Sequence, residues 1–414
     1  MSGEGQSSKA NLALVLTGGG ARAAYQVGVL VAIKEILGNP KQNPFPIICG
    51  TSAGAINAAV LAVDADDFSY GVDKLHHVWS NFRPNLVYRT DPIGAFANSL
   101  RWTFSVVFGA FTGSKKISLF DNEPLGKLLQ HHLDFTRIDT HIAAGHLRAV
   151  SISASGFTSG QNCSFFQAAP DVQGWRRSQR IGVAARLGVD HLMASAAIPF
   201  AFPAIKINRE FFGDGSMRQM APVSPALHLG AERVFVVGTA QLLKDVPARM
   251  RGETYPSLAQ IAGHALSSIF LDTLAADLER LARINATLNL IDPEKLEESG
   301  SPLRHVDVCV SCPTQSLESL APQYVRNLPW PTRFMMRSIG AMRRGGATLA
   351  SYILFDKEYC QALIKLGYDD TIARRGEIEV FFNAEVCPMP LKLPDNTYNP
   401  LRSGAYDAHK ATPV

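Results

Sequence analysis

Two glycine turns constrain this chain more than any other feature. In "NLALVLTGGGAR" (11–22) and "PFPIICGTSAGAINA" (44–58), a short apolar run stops at glycine and hands over to a helix-compatible stretch. Neither run alternates with polar residues, so each reads as a strand buried on both faces. Such strands occur in sheets covered by helices on both sides. Further apolar runs at 147–155, 204–214, 233–239 and 305–311 read as strands, and helical spacing is found at 21–37, 124–133, 184–197 and 257–285. The pattern predicts an α/β fold with a largely parallel central sheet.

Composition agrees with this. The chain has 414 residues, 46% hydrophobic and 18% charged, enough apolar material for a large core. Net charge is +4 and no Lys/Arg block dominates, so nucleic acid is not the expected partner. The apolar run after Lys9 is too short for a signal peptide and ends in glycines. The uncharged stretch 42–63 is broken by Pro44, Pro46, Gly50, Ser52 and Asn57, which excludes a membrane span there. The expected location is cytoplasmic, with contact to the inner face of a membrane. "CVSC" (Cys309–Cys312) lies in a strand-like run without nearby ligands and reads as structural rather than as a zinc or redox site.

Glycines closing a strand and opening a helix present bare N–H groups at a positive helix end. "TGGGAR" (Thr17–Arg22) therefore suits a phosphate or an oxyanion. A dinucleotide site also needs an acidic residue at the end of the next strand, and Glu35 and Asp64 miss that context.

Ser52 sits between Gly50 and Gly54 in G-x-S-x-G order, after a strand and before a helix. A nucleophile elbow requires that context. The N–H of Ala53 and the helix dipole would then favour negative charge beside the serine. The bland reading is an N-cap serine, and the two are compatible. A base must take its proton. The chain has histidines at 76, 77, 131, 132, 141, 146, 191, 228, 264, 305 and 409, none at the loop after a late strand where a hydrolase triad places one. "REFFGDGS" puts Asp214 after an apolar strand and before a Gly-Ser turn. Burial beside Phe211 and Phe212 would raise its pKa toward that of a useful base. The alternative is an ordinary Asp-Gly turn.

"LALVLTGGGARAAYQVGVL", "CGTSAGAINA", "SAAIPFAFPAIKI" and "FFGDGS", in that order, resemble the patatin-like phospholipases over about residues 11–230. "LASYILFDKEYCQALIKLGYDD" resembles the C-terminal part of longer bacterial members. The resemblance implies a three-layer α/β/α sandwich and hydrolysis of lipid acyl esters through an acyl-serine, without metal or cofactor. It implies a Ser52–Asp214 dyad with no histidine. Gly18, Gly19 and Gly20 would be oxyanion donors, joined by Ala53, with Gly50, Gly54 and Gly215 as motif glycines. Arg22 would hold the loop or lend charge near an anionic headgroup. Two positions depart from the family pattern: Ala23, where glycine is common, and Ser216 in "DGS". The rivals are a Ser-His-Asp esterase of small soluble esters and a catalytically silent membrane-associated scaffold.

The expected organisation is a disordered N-terminus (1–10), a catalytic domain (11–230), a C-terminal extension completing the fold (231–395) and a tail (396–414). Residues 76–122 hold a candidate cap with an aromatic run at 102–111. Residues 324–346 carry five arginines and no acidic residue, a candidate contact with anionic lipid. The expected partner is a phospholipid or other acyl-lipid substrate, with peripheral membrane contact.

Overall fold

Strands β1 (Leu12–Leu16) and β2 (Ile47–Thr51) are buried at every position, as their unbroken apolar runs require. The computed structural model describes residues 11–89, 118–199, 201–242, 258–330, 332–333, 337 and 347–383. The expected N-terminus and tail, the aromatic run 102–111 and most of 331–346 lie outside the described residues.

Eight further strands complete one sheet: β3 (Ala149–Gly156), β4 (Asn162–Ala168), β5 (Trp175–Arg177), β6 (Arg180–Ala184), β7 (Ile205–Ile207), β8 (Glu210–Asp214), β9 (Arg233–Val237) and β10 (Asp307–Ser311). The order runs β10-β9-β1-β2-β3-β4-β6-β5, with β8 pairing β3 and β7 pairing β8. From β10 to β3 every pair is parallel.

Helices cover both faces. Leu12, Leu14 and Leu16 point to one side, with helices α1 (Ala24–Ile36), α2 (Ala53–Val63) and α3 (Phe68–Ser80). Ala13 and Val15 point to the other, with Val223, Ala226, Leu274 and Leu278. This is the expected three-layer α/β/α arrangement, its strands alternating between two cores because successive side chains leave opposite faces. No helix among the described residues is long and apolar enough to cross a membrane. Cys309 and Cys312 are free thiols, and burial raises both to about 12.

Two expected elements differ. The run 204–214 is a hairpin, β7 and β8, rather than one strand. Asn208 takes a left-handed φ of 54° at its turn, a conformation asparagine tolerates better than most residues. The expected helix 184–197 begins later: the chain is in β6 until Ala184 and turns at Gly188 into a short helix, Val189–Ser195.

The hairpin is what builds the site. On one edge of β3, β4 pairs with the whole stretch from Ala149 to Ser155. Both β2 and β8 must therefore share the other edge. Thr51 of β2 lies opposite Ser153, and Asp214 of β8 opposite Ala154. The end of β2 and the end of antiparallel β8 thus meet head-on at consecutive positions of one strand.

Candidate active site

Ser52 follows Thr51 directly and has φ 55°, a left-handed value rare for a residue with a side chain. Helix α2 starts at the next residue, so Ser52 occupies its N-cap position. Gly54 is demanded by packing: a Cβ there would lie 2.4 Å from the carbonyl oxygen of Leu16. The elbow therefore presses directly on the end of β1. Gly50 and Gly215 flank Ser52 and Asp214, one in β2 and the other in the turn after β8.

The Ser52 hydroxyl donates to Asp214 Oδ2 at 2.6 Å, across 162 residues of sequence. Oδ1 accepts the backbone N–H of Ser216 at 2.9 Å. Asp214 is wholly buried. Burial raises its pKa to about 6, while the bonds from Ser52 and Ser216 hold it back. Asn162 and Ser155 donate to the carbonyl of Gly215 and fix the turn from behind.

Sequence reasoning missed Ser195. Its Oγ accepts the N–H of Ser52 at 2.8 Å and donates to the carbonyl of Ser153 at 2.6 Å. It ties the strained elbow to β3. A network of buried side chains was equally hidden. Trp79 donates to Asn57, Asn57 to Gln26, and Gln26 to the carbonyl of Thr17. It joins α3, α2 and α1 to the strand end that opens the glycine loop.

That loop passes beside the elbow. Gly20, Ser52 and Ala53 line one cavity of about 70 Å³. The remaining wall is almost wholly apolar. Ile56 and Val60 continue it along one face of α2, facing Trp79, Phe82, Leu125, Leu129, Phe202 and Phe355. Lys74 and His132 lie toward the far end of α2, where Lys74 bonds Asp64 at 2.9 Å. Gly18 lines a second, more polar recess with Thr17, Ser216, Gln219 and Thr239. Its carbonyl accepts the Thr239 hydroxyl at 2.5 Å. Gly19 is the N-cap of a 3-10 turn, Gly20–Ala23. Arg22 is 1% exposed and directs its guanidinium into the C-terminal helices, donating to Ser351.

The family model for patatin-like phospholipase matches residues 14–227, just over half of the chain. The chain belongs to the patatin-like phospholipase family. Two relatives are cyclic-nucleotide-activated phospholipases by name. A cUMP-AMP-activated phospholipase of Escherichia coli is 39% identical over 74 residues, 18% of this chain and 22% of that protein. A cGAMP-activated phospholipase of Pseudomonas aeruginosa (strain BWHPSA011 / Pa011) is 27% identical over 222 residues, 52% of this chain and 55% of that protein. The matches thus span about half or less of these relatives. Among solved structures, VipD from Legionella pneumophila aligns over 89% of this chain and 67% of its own, at 12% identity and a TM-score of 0.36. A human GIVD cytosolic phospholipase A2 complex aligns over 92% and 60%, at 13% identity and a TM-score of 0.41. This patatin-like chain therefore joins a family of lipid acyl hydrolases through the segment that holds Ser52 and Asp214.

Proposed function

We propose that this patatin-like chain hydrolyses acyl esters of phospholipids or related lipids through a Ser52–Asp214 dyad. The observation that carries the reading is the 2.6 Å hydrogen bond from the Ser52 hydroxyl to a buried carboxylate. A carboxylate near its ordinary pKa is a poor base for a serine. One raised to about 6 still carries its charge at neutral pH and holds a proton more readily.

In the first half-reaction Ser52 Oγ attacks the ester carbonyl and its proton passes to Asp214 Oδ2. The carbonyl electron pair moves to oxygen. The N–H groups of Gly19, Gly20 and Ala53, with Gly18 beginning the loop, are the proposed donors to that oxyanion. Collapse expels the alcohol, which takes the proton from Asp214 and leaves an acyl-serine. In the second half-reaction Asp214 takes a proton from water, whose oxygen attacks the acyl carbonyl. The fatty acid leaves and Ser52 regains its proton. No step calls for a metal or cofactor.

The apolar cavity supports an acyl chain as the group held. It starts at Ser52 and follows Ala53, Ile56 and Val60, one face of α2 about 10 Å long at 1.5 Å per residue. A Ser-His-Asp route finds less support. His132 lines the cavity, yet it sits with Lys74 near the end of α2 remote from Ser52, and burial lowers its pKa. Activation by a cyclic nucleotide, as in the names of the two relatives, belongs to the same proposal.

The test is release of fatty acid from phospholipid vesicles by the purified chain, with and without cGAMP or cUMP-AMP. Wild type should release fatty acid in at least one condition, and Ser52→Ala in none. Equal release by Ser52→Ala would remove Ser52 from the chemistry.

A further inference from the structure

We infer that Ser351, Tyr352 and Glu318 are positioning residues for the glycine loop, acting through Arg22. The inference rests on the acyl-hydrolase reading above and adds a part of the chain to it. Helix α11 (Leu317–Tyr324) carries Glu318, and helix α12 (Ala347–Ile353) carries the other two. All three lie outside the residues matched by the family model.

The loop touches α12 in two ways. The first is backbone on backbone. Gly20 has a left-handed φ of 56°, and a Cβ there would lie 2.2 Å from the carbonyl oxygen of Tyr352. The second is the Arg22 side chain. Its Nε and Nη2 donate to Ser351 Oγ at 2.9 and 2.6 Å. The Ser351 hydroxyl donates to the carbonyl of Thr348 at 2.6 Å, so its oxygen is aimed at the guanidinium. The guanidinium lies 4.0 Å from the centre of the Tyr352 ring, Nη1 donates to the Tyr352 hydroxyl at 3.4 Å, and Nη2 is 3.3 Å from Glu318 Oε1. The Thr348 hydroxyl holds the other oxygen of Glu318 at 2.7 Å.

A buried guanidinium goes where its acceptors and its aromatic partner are, because an unmatched buried charge is costly. These partners therefore fix the end of the loop. Thr239 fixes its beginning through the Gly18 carbonyl. Between the two anchors the backbone has two glycines and an alanine, with no large side chain to orient it. The direction of the Gly19 and Gly20 N–H groups, the proposed oxyanion donors, follows from the anchors. The chain just after α12 also reaches the site, since Phe355 lines the cavity with Gly20 and Ser52.

A plain docking role for Arg22 is the competing account. The C-terminal region is already docked elsewhere. Helix α13 (Lys357–Ile372) crosses α1 so closely that a Cβ on Gly28 would lie 1.9 Å from the carbonyl of Ile364, and one on Gly367 2.2 Å from that of Tyr25. The Ser351 hydroxyl is not needed for that packing.

The test uses the full chain, a p-nitrophenyl acyl ester, a fluorophosphonate probe and amide hydrogen exchange. Ser351→Ala and Tyr352→Leu should lower kcat and the probe's labelling rate by about tenfold or more, as loss of oxyanion donors does, with KM within about twofold. Exchange at residues 18–23 should rise while α13 stays protected. Ser351→Thr, which keeps the hydroxyl acceptor, should restore the rate to within about threefold. An unchanged loop exchange and kcat in the first pair would overturn the inference. So would an equal fall in Ser351→Thr. A wild type inert to ester and probe would instead overturn the acyl-hydrolase reading, and loop exchange would still decide the positioning role.

Discussion

Ser195 holds Ser52 by the backbone: its hydroxyl accepts the Ser52 N–H at 2.8 Å and donates to Ser153 at 2.6 Å. A residue at φ 55° is strained and persists only where its surroundings over-determine it. Ser195→Ala would strand both a buried N–H and a buried carbonyl. The expected cost is about 1–3 kcal/mol of stability in a denaturant titration. The rate of ester hydrolysis should fall with it, since the elbow aims the proposed nucleophile.

The pH profile should carry the signature of Asp214. The proposed dyad needs its carboxylate ionised, and burial raises its pKa to about 6. The rate constant kcat/KM should therefore fall as pH drops through about 6. Stability moves the other way. The folded form holds the proton up to about pH 6, the unfolded chain only to about 4, so this group costs stability as pH rises from 4 to 6. Asp214→Asn should be inactive yet as stable as wild type at pH 7, or more stable by on the order of 1–3 kcal/mol. Thermal melts at pH 5 and 7.5 read this directly.

Gly54→Ala should be severely destabilising. Its Cβ would meet the Leu16 carbonyl at 2.4 Å, backbone against backbone, with no flexible group to give way. The expected loss is about 3 kcal/mol or more, or failure to fold. Urea unfolding of any soluble fraction measures it.

Chain-length preference should answer to Val60. Its side chain lines the apolar cavity one helical turn beyond Ile56. Val60→Phe fills that space and should leave hydrolysis of short p-nitrophenyl esters within about threefold. It should lower kcat/KM for long-chain esters by about tenfold, the scale of losing one or two buried methylenes.

Much of this was readable in the residues because its signals are local. Unbroken apolar runs mark β1 and β2, and the glycines after them mark the turns. Asp214 was identifiable by its place at the end of "EFFGD". The hairpin at Asn208 was not, since one left-handed residue in an apolar run leaves little trace in the pattern. Ser195 was invisible for another reason. It meets Ser52 across 143 residues, and a serine near the end of a short helix has no feature that announces a partner. The same holds for the chain from Trp79 through Asn57 to Gln26, and for Arg22 on Ser351 across 329 residues. Arg22 was readable as a charge beside the loop. Which way it turned depended on helices that sequence alone did not bring near.

The most direct measurement is the intact mass and adduct site of the protein after reaction with a fluorophosphonate. Wild type should gain one adduct, located on Ser52 by peptide mapping. Ser52→Ala should gain none, and Asp214→Asn should label at least about a hundredfold more slowly while remaining folded. An adduct on another residue, or wild-type labelling of Ser52 in Asp214→Asn, would contradict the account.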